Sequence, residues 1–207
     1  MKKLYFLDFD RTLFNNHEFF QDFSTILAAY FEINGDDLHQ IAKKHNQIRS
    51  TAKGIFSAFD MIREEYPQIN IDDVKRIATQ ELAERTYVFA DVERTLKIID
   101  AANDDIHIVT VGTDEYQRFK FGFAPKLKYY PLTITQESKG KCLLQFKDTF
   151  NQYEKVVLVD DRGDTFDDEF RELGIDGIRL NRVDSTYSSK PTPPDVKEIA
   201  TLIELVS

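Results

Sequence analysis

Residues 4–14 read LYFLDFDRTLF. Leu4 to Leu7 form an uninterrupted apolar run, the pattern of a parallel strand covered on both faces. The run ends in two aspartates one residue apart, Asp8 and Asp10. Carboxylates beside a core are costly unless something offsets their charge. A second apolar run, Val156-Val157-Leu158-Val159, ends the same way, in Asp160 and Asp161 with Asp164 just beyond. Four carboxylates at adjacent strand ends repel one another unless a cation sits among them. An all-oxygen donor set with no Cys or His close by suits a hard ion, and Mg2+ is the default.

Between the first strand and the rest of the sheet the period changes. From about Asn16 to Arg85 the spacing is helical throughout. Phe19, Phe20, Phe23, Ile26, Leu27, Tyr30 and Phe31 recur three and four residues apart, and Asn34-Gly35 stops that helix. A second face runs through Leu38, Ile41, His45, Ile48 and Ala52. A third runs through Phe56, Phe59, Ile62 and Tyr66, up to Pro67. Asp72 or Asp73 is the expected cap of a fourth helix, with Val74, Ile77, Ala78 and Leu82 on its buried side.

Beyond this stretch strands and helices alternate. A helix carries Val92, Leu96 and Ile99, and a strand covers residues 106–110. A short helix follows around Glu115 to Phe119, then a strand-like stretch from Tyr129 to Thr135. A helix with Leu143, Leu144, Phe146 and Phe150 leads into the VVLV strand. Residues 166–173 read as a helix, 178–180 as a strand, and Ser185 to Pro194 as a surface loop. Val196, Ile199, Leu202 and Ile203 predict a closing helix. This pattern predicts an α/β fold, a Rossmann-like parallel sheet. Its core is expected in residues 1–15 and 86–207, interrupted by an all-helical insertion over 16–85. Ligands of such sheets bind at the carboxyl ends of the strands. Thr110 ends one strand there, and Lys139 stands near the start of a helix.

Composition excludes several function classes. The chain has 207 residues, 42% of them hydrophobic with 17 Phe, and 30% charged. No apolar run approaches the ~20 residues of a membrane span. The stretch MKKLYFLDFD is too soon interrupted by acids to be a signal peptide. One cysteine, Cys142, rules out an internal disulfide and fits a reducing cytoplasm. A net charge of −9 argues against general nucleic-acid binding and against anionic membranes.

DFDRTLF resembles the first motif, DxDx[TV], of the haloacid dehalogenase-like superfamily, whose members are mostly phosphatases. IHIVTVGT is similar to its second motif, with Thr110 as the match. SKGKC supplies the lysine of the third, Lys139 or alternatively Lys141. VVLVDDRGD is similar to the fourth motif in its double-aspartate form. That motif fits with Asp161 as the direct metal ligand, or with Asp160 and Asp164. The motifs stand in the family's order, and many members carry a helical cap where the 16–85 insertion lies.

The resemblance implies that Asp8 is a nucleophile forming an aspartyl phosphate and that Asp10 is the general acid and base. Mg2+ is then held by Asp8, the backbone carbonyl of Asp10, and the Asp160-Asp161 pair. Thr110 and Lys139 bind the transferring oxygens. Dehalogenases of the superfamily lack an acid at the position of Asp10, because a departing halide needs no proton. The implied function is an Mg2+-dependent phosphatase, cytoplasmic, a monomer or homodimer, acting on a small phosphorylated metabolite. A sugar-phosphate mutase or other phosphotransferase uses the same residues but excludes water. A phospho-acceptor signalling domain also clusters aspartates, a Thr and a Lys around Mg2+, yet its acid pair and its phosphorylated aspartate lie on separate strands.

Outside the motifs, His45, Arg49 and Lys53 recur every four residues and share one helix face. Most such stripes are solvated, but Arg49 and Lys53 are the candidates for binding a remote anionic group of the substrate. Cys142 reads as a small core residue, His17 as a loop residue, and His107 as a packed strand residue.

Overall fold

The computed structural model describes residues 2–34, 36–38, 40, 43, 55–183, 187–189 and 191–206. Packing divides the chain into two units. One comprises Met1–Asn15, Val88–Val111 and Lys126–Ser207, the other Asn16–Tyr87 and Gly112–Pro125. The expected stripe of Arg49 and Lys53, with His45 and most of the second helical face, lies outside the described residues.

The first unit is built on six strands: β1 (Lys3–Leu7), β2 (Asp105–Val111), β3 (Leu132–Thr135), β4 (Lys155–Asp160), β5 (Asp176–Leu180) and β6 (Lys197–Ile199). All pairings are parallel, in the order β3-β2-β1-β4-β5-β6. This is the Rossmann-like α/β sheet the sequence predicts. β1 is central, with Leu7 opposite Ile108 of β2 and Val159 of β4. Its side chains alternate between two covered faces, so all of LYFL must be apolar. On one face Leu4 and Phe6 join Val109, Leu143, Val156 and Leu158 in a core closed by Phe166 and Phe170. The strand order reverses between β1 and β4, where parallel sheets open a crevice at their carboxyl ends.

Two stretches of this unit depart from the helices their periodicity predicts. Residues 144–152 form a 3-10 helix after a single short α-helix, Lys139–Leu143. Leu144, expected inside, is exposed, while Phe146 and Phe150 pack on the core. With three residues per turn, such a helix puts residues three apart, here Phe150 and Tyr153, on one edge against the core. Residues 197–199 form the edge strand β6, followed by a 3-10 helix at Leu202–Leu205. Pairing of Ile178 with Lys197 and of Leu180 with Ile199 captures the segment for the sheet. A spacing of three satisfies a short strand and a turn as well as it does a helix.

The second unit is helical. α1 (Asn16–Phe31) buries Phe19, Phe23, Ile26 and Leu27. α2 (Ala58–Glu65) starts at Ser57, whose side chain accepts from the Asp60 amide at 3.2 Å. α3 (Ile71–Glu81) is capped by Asn70, accepting from the Asp72 amide at 2.9 Å. The expected caps Asp72 and Asp73 instead occupy its first turn, where carboxylates face the positive helix end. A further helix, Asp114–Phe121, packs in this unit although its sequence follows β2 directly. Phe119 lies 5.0 Å from Phe59 and 5.9 Å from Phe23, ring centre to ring centre. Glu115 accepts from Arg63 at 2.8 Å and from Lys75. Among the described residues, no helix is long and apolar enough to cross a membrane.

Candidate active site

The carboxyl ends of β1 and β4 bring together what the sequence separates by some 150 positions. Asp8 leaves β1 with its amide still donating to the Val159 carbonyl at 2.9 Å, so β4 fixes its backbone. Asp160 is the last residue of β4 and Asp161 the next. Oxygens of Asp8, Asp160 and Asp161 all lie within 4.8 Å of one another, and all three residues are buried. Lys139, 5% exposed, begins its short helix and donates its ammonium to both Asp8 Oδ1 and Asp160 Oδ2. Ser138 caps that helix by accepting from the Lys141 amide at 3.1 Å. Gly140 is obligatory there: a Cβ on it would lie 2.6 Å from the Phe170 amide nitrogen.

Among the three carboxylates stands one ammonium, that of Lys139, while the buried guanidinium of Arg179 turns to the Asp161 backbone carbonyl. Burial raises the Asp8 carboxyl to about 7, with Lys139 opposing and Asp160 and Asp10 adding to the rise. Burial raises Asp161 to about 8, with Asp160 and Asp8 adding to it. Burial alone would lower Lys139, but Asp160 and Asp8 outweigh it and hold the ammonium above its ordinary range. Three converging carboxylates are consistent with metal binding, and a bound cation would reverse these carboxylate shifts.

Polar atoms without partners mark where a ligand fits. Asp160 is fully engaged, since its Oδ1 accepts from the Arg162 amide at 2.8 Å and its Oδ2 from Lys139. Asp161 Oδ2 is buried without a hydrogen-bond partner, and so is Thr110 Oγ1 on β2. Seven other buried side-chain atoms among the described residues are also unpartnered, so it is the position of Asp161 beside two further carboxylates that fits an ion there. The oxygen-only donor set fits a hard cation.

The other residues singled out in the sequence fall elsewhere. Asp10 is half-buried in the turn after β1, bridged through its backbone to Phe14, and its carboxylate is outside the converging three. Lys141 is exposed and paired with Glu137. Asp164 is exposed and accepts a two-pronged pair from Arg162 at 2.9 and 2.7 Å. Cys142 is a core residue. His107 packs between Phe6 and Phe146 and bonds Thr133 Oγ1 at 2.8 Å. His17 lies on α1, exposed, 3.1 Å from Gln21. A cleft of about 400 Å³ among Lys155, Asp176 and Lys197 opens at the opposite ends of β4, β5 and β6, away from these groups.

No protein-family model and no curated protein sequence matches the chain. Solved structures do. A haloacid dehalogenase-like hydrolase of Burkholderia xenovorans LB400 superposes with a TM-score of 0.74 at 16% identity, over 100% of this chain and 98% of that one. A HAD phosphatase of Thermococcus onnurineus gives 0.67 at 17% identity, over 99% and 96%. The HAD-hydrolase YfnB of Bacillus subtilis, solved bound to magnesium, gives 0.64 at 17% identity, over 99% and 96%. This is the haloacid dehalogenase-like fold. L-2-haloacid dehalogenases share it as well, so the fold by itself leaves the reaction open.

One buried functional candidate of this haloacid dehalogenase-like core escapes the sequence reading. Arg179 is 0% exposed and donates its Nε to the backbone carbonyl of Asp161 at 3.3 Å. The available signal was an arginine inside DGIRL, a short strand in a sheet expected to be covered on both faces.

Proposed function

We propose that this protein is an Mg2+-dependent phosphatase that hydrolyses a small-molecule phosphate monoester through a phosphorylated Asp8. The observation that carries this reading is the buried convergence of Asp8, Asp160 and Asp161 on Lys139, with Asp161 Oδ2 and, on the neighbouring strand β2, Thr110 Oγ1 left without partners. One of these oxygens suits a cation and the other a phosphoryl oxygen. The magnesium in YfnB, which shares the fold, supports the choice of metal.

Asp8, Asp160 and Asp161 would hold the cation, together with the Asp10 backbone carbonyl. When bound, it offsets the repulsion between an anionic ester and a carboxylate nucleophile. Asp8 attacks phosphorus in line and releases the alcohol. Asp10, two residues on, gives the leaving oxygen its proton and then takes one from the water that frees Asp8. Thr110 and Lys139 hold the transferring oxygens as charge spreads over them. The presence of Asp10 favours this chemistry over halide displacement, which needs no proton on the leaving group. The helical unit is proposed as the cap that selects the substrate.

The test is a panel of phosphate monoesters and 2-haloacids, assayed with Mg2+ and with chelator, scoring free phosphate and free halide. Phosphate release that requires Mg2+ is expected. Halide release, or full activity in metal-free buffer, refutes the reading. Phosphate that appears only on a second substrate, never in solution, moves the enzyme to the phosphotransferases.

A further inference from the structure

We infer that Arg179 is a positioning residue, holding the Asp161 turn in the conformation that binds the cation. The inference rests on the cation reading above. Arg179 lies on β5 opposite Asp160 of β4, and it heads the fully buried side chains in volume. Burying a guanidinium costs several kcal/mol unless its donors are met. Its neighbours Ile178 and Leu180 are apolar and buried, so the strand itself has no need of a charge at this position.

The guanidinium is spread over three segments. Nε donates to the Asp161 carbonyl at 3.3 Å, one terminal nitrogen to Thr192 Oγ1 at 2.7 Å, and the other to the Tyr187 carbonyl at 2.5 Å. Glu198 on β6 stands 3.5 Å from it and also accepts from Thr192 and, at 3.1 Å, from Asn181. The strap that carries Tyr187 and Thr192 lies against the aspartate turns. A Cβ on Gly163 would come within 2.7 Å of the Pro191 carbonyl. The Tyr187 ring faces the guanidinium of Arg162 at 5.5 Å and that of Arg11 at 4.9 Å, the residues that follow Asp161 and Asp10. Arg11 itself sits at a φ of 63°, a left-handed backbone that surrounding structure must hold in place. Arg179 thus fastens the strap and the Asp161 backbone with one planar fork. A lysine, with a single point of attachment, cannot reproduce that fork.

Partners that orient a metal ligand typically set metal affinity by about 10–100-fold. Arg179→Lys keeps the charge and loses the fork. Mn2+ binding, read by electron paramagnetic resonance on the folded protein, should weaken by about that factor. Turnover of an aryl phosphate by the variant should recover as Mg2+ is raised, with KM for the ester unchanged at saturating Mg2+. Thr192→Val and Glu198→Gln each remove one arm of the network and should weaken Mn2+ binding in smaller steps. They decide the matter if Arg179→Lys fails to fold. Wild-type Mn2+ affinity in a folded Arg179→Lys, or in both arm variants when that protein does not fold, overturns the inference. So does a kcat that stays low at saturating Mg2+ with unchanged Mn2+ affinity. A wild-type protein that binds no Mn2+ defeats the cation reading and this inference together. Wild-type binding that the variants leave unaltered defeats this inference alone.

Discussion

Withdrawing divalent cation should make the stability of this protein fall as pH rises, over a window set by two buried carboxyls. Asp8 and Asp161 move from 3.8 to about 7 and about 8 on folding. Because the folded values lie above the unfolded ones, the folded state binds more protons in between. The contribution is complete at low pH and is lost as pH climbs through the folded values. Between about pH 6 and about pH 8.5, linkage assigns a loss on the order of 1 kcal/mol to Asp8 and on the order of 2–3 kcal/mol to Asp161. The sum is somewhat smaller where the two titrate as a pair. A bound cation replaces the protons, so saturating Mg2+ should flatten the dependence. Urea unfolding at several pH values, with chelator and with Mg2+, measures both slopes. Lys139→Met deletes the charge that opposes the rise of Asp8, so its metal-free slope should extend to higher pH. Breaking that buried pairing should cost about 3–5 kcal/mol at neutral pH. Metal-free stability that is flat or rises from pH 6 to 8.5 would refute the reasoning, because it would mean the carboxylates are ionised and solvated.

Three further outcomes are expected. Asp8→Asn should abolish turnover and capture no phosphate, whereas Asp10→Asn should slow it by about 10²–10⁴. With a leaving group that needs no proton, acid-quenched mass spectrometry of the Asp10 variant should find phosphate on Asp8, and near-normal activity of Asp8→Asn would end the covalent mechanism. Arg182 grips Asp91 with two bonds, at 3.0 and 2.9 Å, and donates to the Thr12 carbonyl at 3.0 Å. Arg182→Ala should therefore cost about 2–4 kcal/mol in urea unfolding, and a loss under half a kcal/mol would show the pair to be solvated. Gly140→Ala should displace the helix that carries Lys139 against the Phe170 backbone, lowering both melting temperature and kcat; unchanged values would mean the helix has room to shift.

The parts of the fold legible in the sequence are those where one physical demand dominates. LYFL and VVLV must be apolar on both faces, and aspartates follow both, so the two strands and the end of the sheet that carries the candidate site can be read directly. Where demands compete, the pattern misleads. Val196, Ile199 and Leu202 are all buried, at a spacing shared by a helix and by a short edge strand with a turn, and only the ladder to β5 decides between them. The choice between Lys139 and Lys141 needs burial, which two lysines one residue apart in SKGKC do not reveal. Asp160 differs from Asp161 in having both oxygens engaged, a property of the fold around them. For Arg179 the sequence offers only a charge inside a covered strand, without its partners. Its acceptors are the Asp161 and Tyr187 backbone carbonyls, Thr192 and Glu198, and no residue pattern announces that set.

The central place of β1 also bears on how the chain emerges from a ribosome. Leu7 and Val159 are neighbours in the sheet but 152 positions apart, and its other partner, Ile108, is 101 away. At ordinary synthesis rates β1 spends on the order of ten seconds with at least one edge bare. A bare apolar strand is a template for pairing between chains. Lys2 precedes this one, Lys3 begins it, and Asp8 and Asp10 follow it, charges of the kind that keep such segments apart. The aspartates therefore guard the nascent chain before there is any site for them to serve.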